Sequence, residues 1–149
     1  MINENLKLRG DVALVLKDKD GNIKESREIN NLVVTAGLTF ICSRMAAASA
    51  NVMSHMALGS STTAAAAGQT DLVSILGSRE ALDSTSASSN TITYVSSFEA
   101  GEGTGAVTEA GIFNAASSGT MLCRTVFPVV NKQSDDTMSV TWVITLSAS

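Results

Sequence analysis

Residues 138–146 alternate without a fault: Met138, Val140, Trp142, Ile144 and Leu146 take every second place, with Ser139, Thr141, Val143 and Thr145 between them. Successive side chains of an extended strand leave on opposite faces, so this stretch predicts a half-buried strand with one apolar wall and one wall rich in hydroxyls. Residues 6–16 follow the same period, with Leu6, Leu8, Val12, Leu14 and Leu16 on one face and Lys7, Arg9, Asp11 and Lys17 opposite. Gly10 interrupts that pattern as a bulge or as a point of close approach. Asp18-Lys19-Asp20-Gly21-Asn22 supplies turn residues that tolerate positive φ, and residues 23–29 resume the extended pattern. The two runs make a β-hairpin.

From Asn31 the period changes. Val34, Leu38, Ile41, Cys42 and Met45 fall on one stripe of a helix, which predicts a single amphipathic helix of roughly 14 residues. Thr35 is its N-cap or a first-turn residue, Ala46-Ala47-Ala48 extends it, and Ser49-Ala50-Asn51 stops it. Residues 55–59 read as a short strand ending in Gly59. Residues 60–69, with Ser, Thr, Gly and four consecutive alanines, read as an ordered small-residue loop or arm. Thr70-Asp71 caps a short helical turn over residues 72–76. Residues 79–83 read as a strand and 84–90 as an exposed polar turn.

The remaining pattern is β again. Ile92, Tyr94 and Phe98 share a face in a strand over 91–99; Gly101, Gly103 and Gly105 break it; and 107–113 begins the next strand. Residues 114–119 turn, 120–127 alternate, and Pro128, the only proline, ends that strand where a missing N–H is tolerated. Asp135-Asp136 forms the turn before the closing strand. Seven or eight strands with short polar turns and one inserted helix predict a mainly β fold: a single β-sandwich domain over 1–149, of jelly-roll or Greek-key type. Residues 1–5 form an N-terminal arm outside the core pattern.

Composition narrows the classes of function. The chain is 44% hydrophobic but only 4% aromatic and 16% charged, well below the roughly one-quarter charged residues of an average soluble domain. Such a surface suits contact with copies of itself or with a partner. The net charge of −4 and the sparse basic set Lys7, Arg9 and Lys17 disfavour binding to nucleic acid. No apolar run reaches the length of a bilayer, and the first residues carry neither a basic leader nor an apolar segment, so neither a membrane span nor a secretory signal is expected. Cys42 and Cys123 are read as buried free thiols rather than as a disulfide.

Residues that could do chemistry are few. His55, the only histidine, lacks companions at metal-ligand spacing. Glu99, Glu102 and Glu109 bracket the glycine-rich loop, and Asp135-Asp136 lies in a turn, so paired-carboxylate chemistry has candidates. Glu109 interrupts an otherwise apolar strand; it is an edge charge that blocks unwanted pairing, or half of a buried ion pair with Arg124 across the hairpin. The three glycines have no helix after them on which to build an anion nest. The serines have no accompanying base and no nucleophile elbow. No enzyme activity, metal or cofactor is expected.

Residues 108–114 (Thr-Glu-Ala-Gly-Ile-Phe-Asn), 119–128 (Gly-Thr-Met-Leu-Cys-Arg-Thr-Val-Phe-Pro) and the 138–146 strand, together with the 31–45 helix and Met56-Ala57-Leu58-Gly59-Ser60-Ser61-Thr62-Thr63, resemble small virion structural proteins of tailed bacteriophages. The resemblance implies a capsid decoration, or cement, protein. Such a protein is made in the host cytoplasm and sits on the outer capsid surface as a homotrimer against the major capsid protein. A tail, neck or tail-fibre structural protein is the alternative. The expected assembly contacts are Leu6, Leu8 and Arg9 on the first strand and Ser60, Ser61, Thr62 and Thr63 on the small-residue loop.

Overall fold

The computed structural model describes residues 5–46 and 49–148. Residues 1–4 of the expected N-terminal arm and residues 47–48 of the expected alanine extension lie outside them. Among the described residues the order is β1 (Leu6–Lys17), β2 (Ile23–Asn30), β3 (Leu32–Val33), α1 (Thr35–Arg44), β4 (His55–Gly59), β5 (Glu80–Ala81), β6 (Ser84–Ser88), β7 (Thr91–Phe98), β8 (Gly105–Phe113), β9 (Met121–Lys132) and β10 (Thr137–Ala148). They form two antiparallel five-stranded sheets, ordered β2-β1-β10-β7-β6 and β3-β9-β8-β4-β5. β10 returns to lie between β1 and β7 while β8 and β9 pair in the other sheet, a Greek-key crossing of a β-sandwich.

The two inner faces share one core. Val12, Leu14 and Leu16 of β1, Tyr94 and Phe98 of β7, and Met138, Val140, Trp142 and Ile144 of β10 meet Met56, Leu58, Val107, Ile112 and Phe127 of the second sheet. Trp142 is fully buried at the centre. The alternation of β1 and β10 is therefore realised as read, in a register that sets Val12 opposite Trp142 and Leu14 opposite Val140. The 18–22 turn also forms: the Asp18 carboxylate accepts the amides of Asp20 and Asn22, and Gly21 adopts φ +84°. Those backbone donors, Asn22 first, hold the Asp18 carboxyl below the usual aspartate range. Gly10 marks a close approach, since a β-carbon there would overlap the Asn31 side chain.

Several expected elements come out differently. The helix is ten residues long with Val34 as N-cap, and it meets the sandwich through Gly37, where a β-carbon would overlap the Leu122 carbonyl. Its read stripe therefore splits. Val34 is buried, but Leu38, Cys42 and Met45 are exposed. Both thiols are free, Cys42 at the surface and Cys123 in the core, where burial pushes the Cys123 thiol well up. Residues 72–76 do not make a helical turn, because their amides are used elsewhere; Ile75 instead bridges Gly59. Only Glu80 and Ala81 of the 79–83 run are strand. Residues 84–88 are an edge strand rather than a turn, closed onto β7 by Ser89, at φ +56°, and Asn90. β9 runs through Pro128 to Lys132: between the pairs Glu109–Val126 and Val107–Val130 the strand bulges outward, and the exposed proline sits in the bulge, where no ladder donor is lost.

Candidate functional site

The second sheet is buried on both faces, and its outer face is where the chain concentrates polar interactions. β8 and β9 carry Glu109 and Arg124 there, diagonal neighbours because Gly111 pairs with Arg124 and Glu109 with Val126. Both side chains are fully buried. Arg124 donates Nε–H to Glu109 Oε2 at 2.8 Å, and its Nη2 lies 2.8 Å from the same oxygen in ion-pair contact without hydrogen-bond alignment. This is the ion pair, one of the two sequence readings of Glu109. It is not an edge charge, since β8 lies between β9 and β4.

What covers the pair is the small-residue loop. Oε1 of Glu109 accepts the amides of Ser61 and Ser74, and Oε2 accepts that of Val73. Arg124 Nη1 donates to Gln69 Oε1, and Gln69 accepts the Ala66 amide with the same oxygen. Thr108 adds a hydroxyl donated to the Ser61 carbonyl. Gly59 makes the fit close: a β-carbon there would lie 2.5 Å from Glu109 Oε1. Beneath the loop Leu72 packs with Val34, Ala57, Phe113 and Met121 in a second small core. Residues 60–76 are thus strapped across the sheet from both ends, and Thr62, Thr63, Ala64, Ala66 and Ala67 remain exposed on the strap.

A second anchor fixes the neighbouring turn. Arg79 lays its guanidinium 3.6 Å from the centroid of the Phe113 ring, donates through Nη1 to the carbonyls of Ala115 and Ser118, and meets Asp71 with Nη2. Neither Arg79 nor Gln69 was singled out from the sequence. The only signal for Arg79 was a lone arginine in a segment otherwise carrying Leu72, Val73, Ile75, Leu76 and Leu82.

The expected assembly residues therefore divide. Ser60, Ser61, Thr62 and Thr63 belong to the strap. Leu6, Leu8 and Arg9 lie on the other sheet, with Leu6 71% exposed. Leu6 and Leu8 line an apolar groove of about 230 Å³ with Leu38, Cys42, Met45 and Leu146, and Arg9 pairs with Asp11 on the sheet's outer face. The structure does not bring the two groups together.

Of the other candidates, His55, Glu102 and Asp136 are held in structural contacts. His55 shares a 2.8 Å hydrogen bond between Nδ1 and Ser54 Oγ. Glu102 accepts the Glu99 amide, closing the glycine-rich turn. Asp136 accepts Lys24 Nζ and the Gln133 amide, which hold its carboxyl below the usual range. Buried Lys132 donates to the carbonyls of Glu99 and Asp136, and burial lowers its pKa. Among the described residues no three of His, Cys, Asp and Glu gather as a metal site, and no helix is long and apolar enough to cross a membrane. Comparison with family models, with curated proteins and with solved structures finds no match to this chain.

Proposed function

We propose that the chain is a non-enzymatic structural protein of a tailed-phage virion that binds the outer head surface and stabilises the shell, with the major capsid protein as its partner. The observation that supports this reading is the strap. A fully buried ion pair is committed to holding an exposed, small-residue loop in one shape on a rigid sheet. A pre-formed loop of Ser, Thr and Ala loses little conformational freedom when it docks, so more of the contact energy remains as affinity. The sequence resemblance to virion structural proteins points the same way. Contacts made only with the expanded shell stabilise that state by mass action.

The test is direct. Purified full-length protein is added to heads that lack it, and occupancy is counted in a density map. Saturation in proportion to the major capsid protein is expected, and Thr63→Asp on the strap is expected to lower it. No binding to heads, or binding at a handful of sites, sinks the decoration reading; the latter places the protein at the neck or tail.

A further inference from the structure

The four sheet edges are not protected alike. β3 and β5 are two residues long, and β3 leads straight into the helix. β2 carries Lys24, Glu25, Arg27 and Glu28, and its ladder with β1 is irregular at Leu16/Lys17. Short strands, charges and irregular pairing are the usual means of blocking an edge. β6 has none of them: Ser84-Thr85-Ser86-Ala87-Ser88 is uncharged, contains no proline, and is exposed at every residue. Among the described residues it pairs with β7 alone, along one side.

We propose that β6 is a homotypic interface, pairing antiparallel with β6 of a second copy about a two-fold axis centred on Ser86. An antiparallel ladder is its own complement under a two-fold rotation, so one strand supplies both halves of the contact. Every second residue of an edge strand turns its N–H and C=O outward, and the partner strand satisfies those groups. Centring on Ser86 sets Ser84 against Ser88, Thr85 against Ala87, and Asp83 against Ser89, so no like charges face each other. The side chains that follow are small enough to pass without clash. Ser84, Ser86 and Ser88 continue the face formed by Val95, Thr93 and Thr91, so the pair joins two five-stranded sheets into one of ten with a continuous, hydroxyl-rich wall.

This interface does not depend on the head-binding proposal, and its test uses the free protein. Sedimentation of the full-length chain from micromolar to millimolar concentration is expected to show a monomer passing to a dimer. Ser86→Lys places two ammonium groups against each other across the axis and is expected to weaken dimerisation at least tenfold. Ser86→Glu is expected to do the same, and an equimolar mixture of the two is expected to recover a dimer that contains one of each. Thermal melts of both variants check that the fold persists. A monomer throughout the range overturns the proposal, as does a dimer indifferent to both charges. A trimer of unchanged mass in the variants overturns it too, and would favour the three-fold assembly that the virion resemblance implies.

Discussion

The outer faces of the two sheets are opposites. On the first sheet, Arg9, Asp11, Ala13 and Val15 of β1 lie beside Thr145, Val143, Thr141 and Ser139 of β10, and these beside Thr91, Thr93, Val95 and Ser97 of β7, and each of them is exposed or half-exposed. On the second sheet, Ala57, Glu109, Gly111, Phe113 and Arg124 are buried under the strap and the start of the helix. A face open to water tolerates hydroxyls and single charges at little cost. A covered face must satisfy every polar group internally, which makes its few polar residues indispensable.

Breaking the strap's anchor is the strongest test of that contrast. Glu109→Ala leaves Arg124 charged and buried without its counter-ion and orphans the amides of Ser61, Val73 and Ser74. Removing one member of a buried pair costs about 3–5 kcal/mol, so the urea midpoint should fall steeply. The double variant Glu109→Leu/Arg124→Met is expected to lose less than either single change, because no charge is left buried. A single-variant loss below about 1 kcal/mol, the level of an exposed pair, would show that water reaches the site.

The same asymmetry explains what the sequence disclosed. β1, β7 and β10 alternate cleanly because one of their faces is wet, and their core residues could be named from period alone. β8 is buried at every position from Val107 to Phe113, so no alternation assigned Glu109 to a face, and the ion pair stayed one of two readings. The strap was half legible. Its small residues marked a loop, but Asp71 resembles a helix cap, and nothing local shows that the amides of Val73 and Ser74 are bound by a carboxylate 35 or more residues away. β6 was missed for the opposite reason: an edge strand of Ser, Thr and Ala has no apolar member to show its period.

Intermediate effects follow where the strap and the seam between sheets are touched less directly. Gly59→Ala sets a β-carbon 2.5 Å from Glu109 Oε1 and 2.6 Å from the Ser74 carbonyl. The strap must lift, at about 1–3 kcal/mol, and amide exchange at Ser61 and Ser74 should accelerate. Asp136 joins the sheets, accepting Lys24 of β2 while its carbonyl accepts Lys132 of β9. Its pKa is lower folded than its ordinary 3.8. The carboxylate therefore contributes stability that is fully present above that value and is lost as pH falls through the lower, folded one. Asp136→Asn should flatten the acid limb of the stability curve while lowering its neutral plateau, measured by chemical denaturation across pH.

The smallest effect is expected on the open wall, and its smallness is informative. Thr93 sits mid-strand between Val143 and Ser86, facing away from the core. Lysine there can run its stem along neighbouring methyl groups and leave its ammonium in water. The free energy of unfolding should change by no more than about 0.5–1 kcal/mol, the span of strand preference and surface substitution. The measurement belongs at low protein concentration, where monomers dominate. A loss comparable to that of Glu109→Ala would mean that some part of the chain covers this wall as the strap covers the other, and the contrast between the two sheets would fail. A small loss in the monomer that grows with concentration would instead place the wall within reach of a second copy, extending the contact inward from β6.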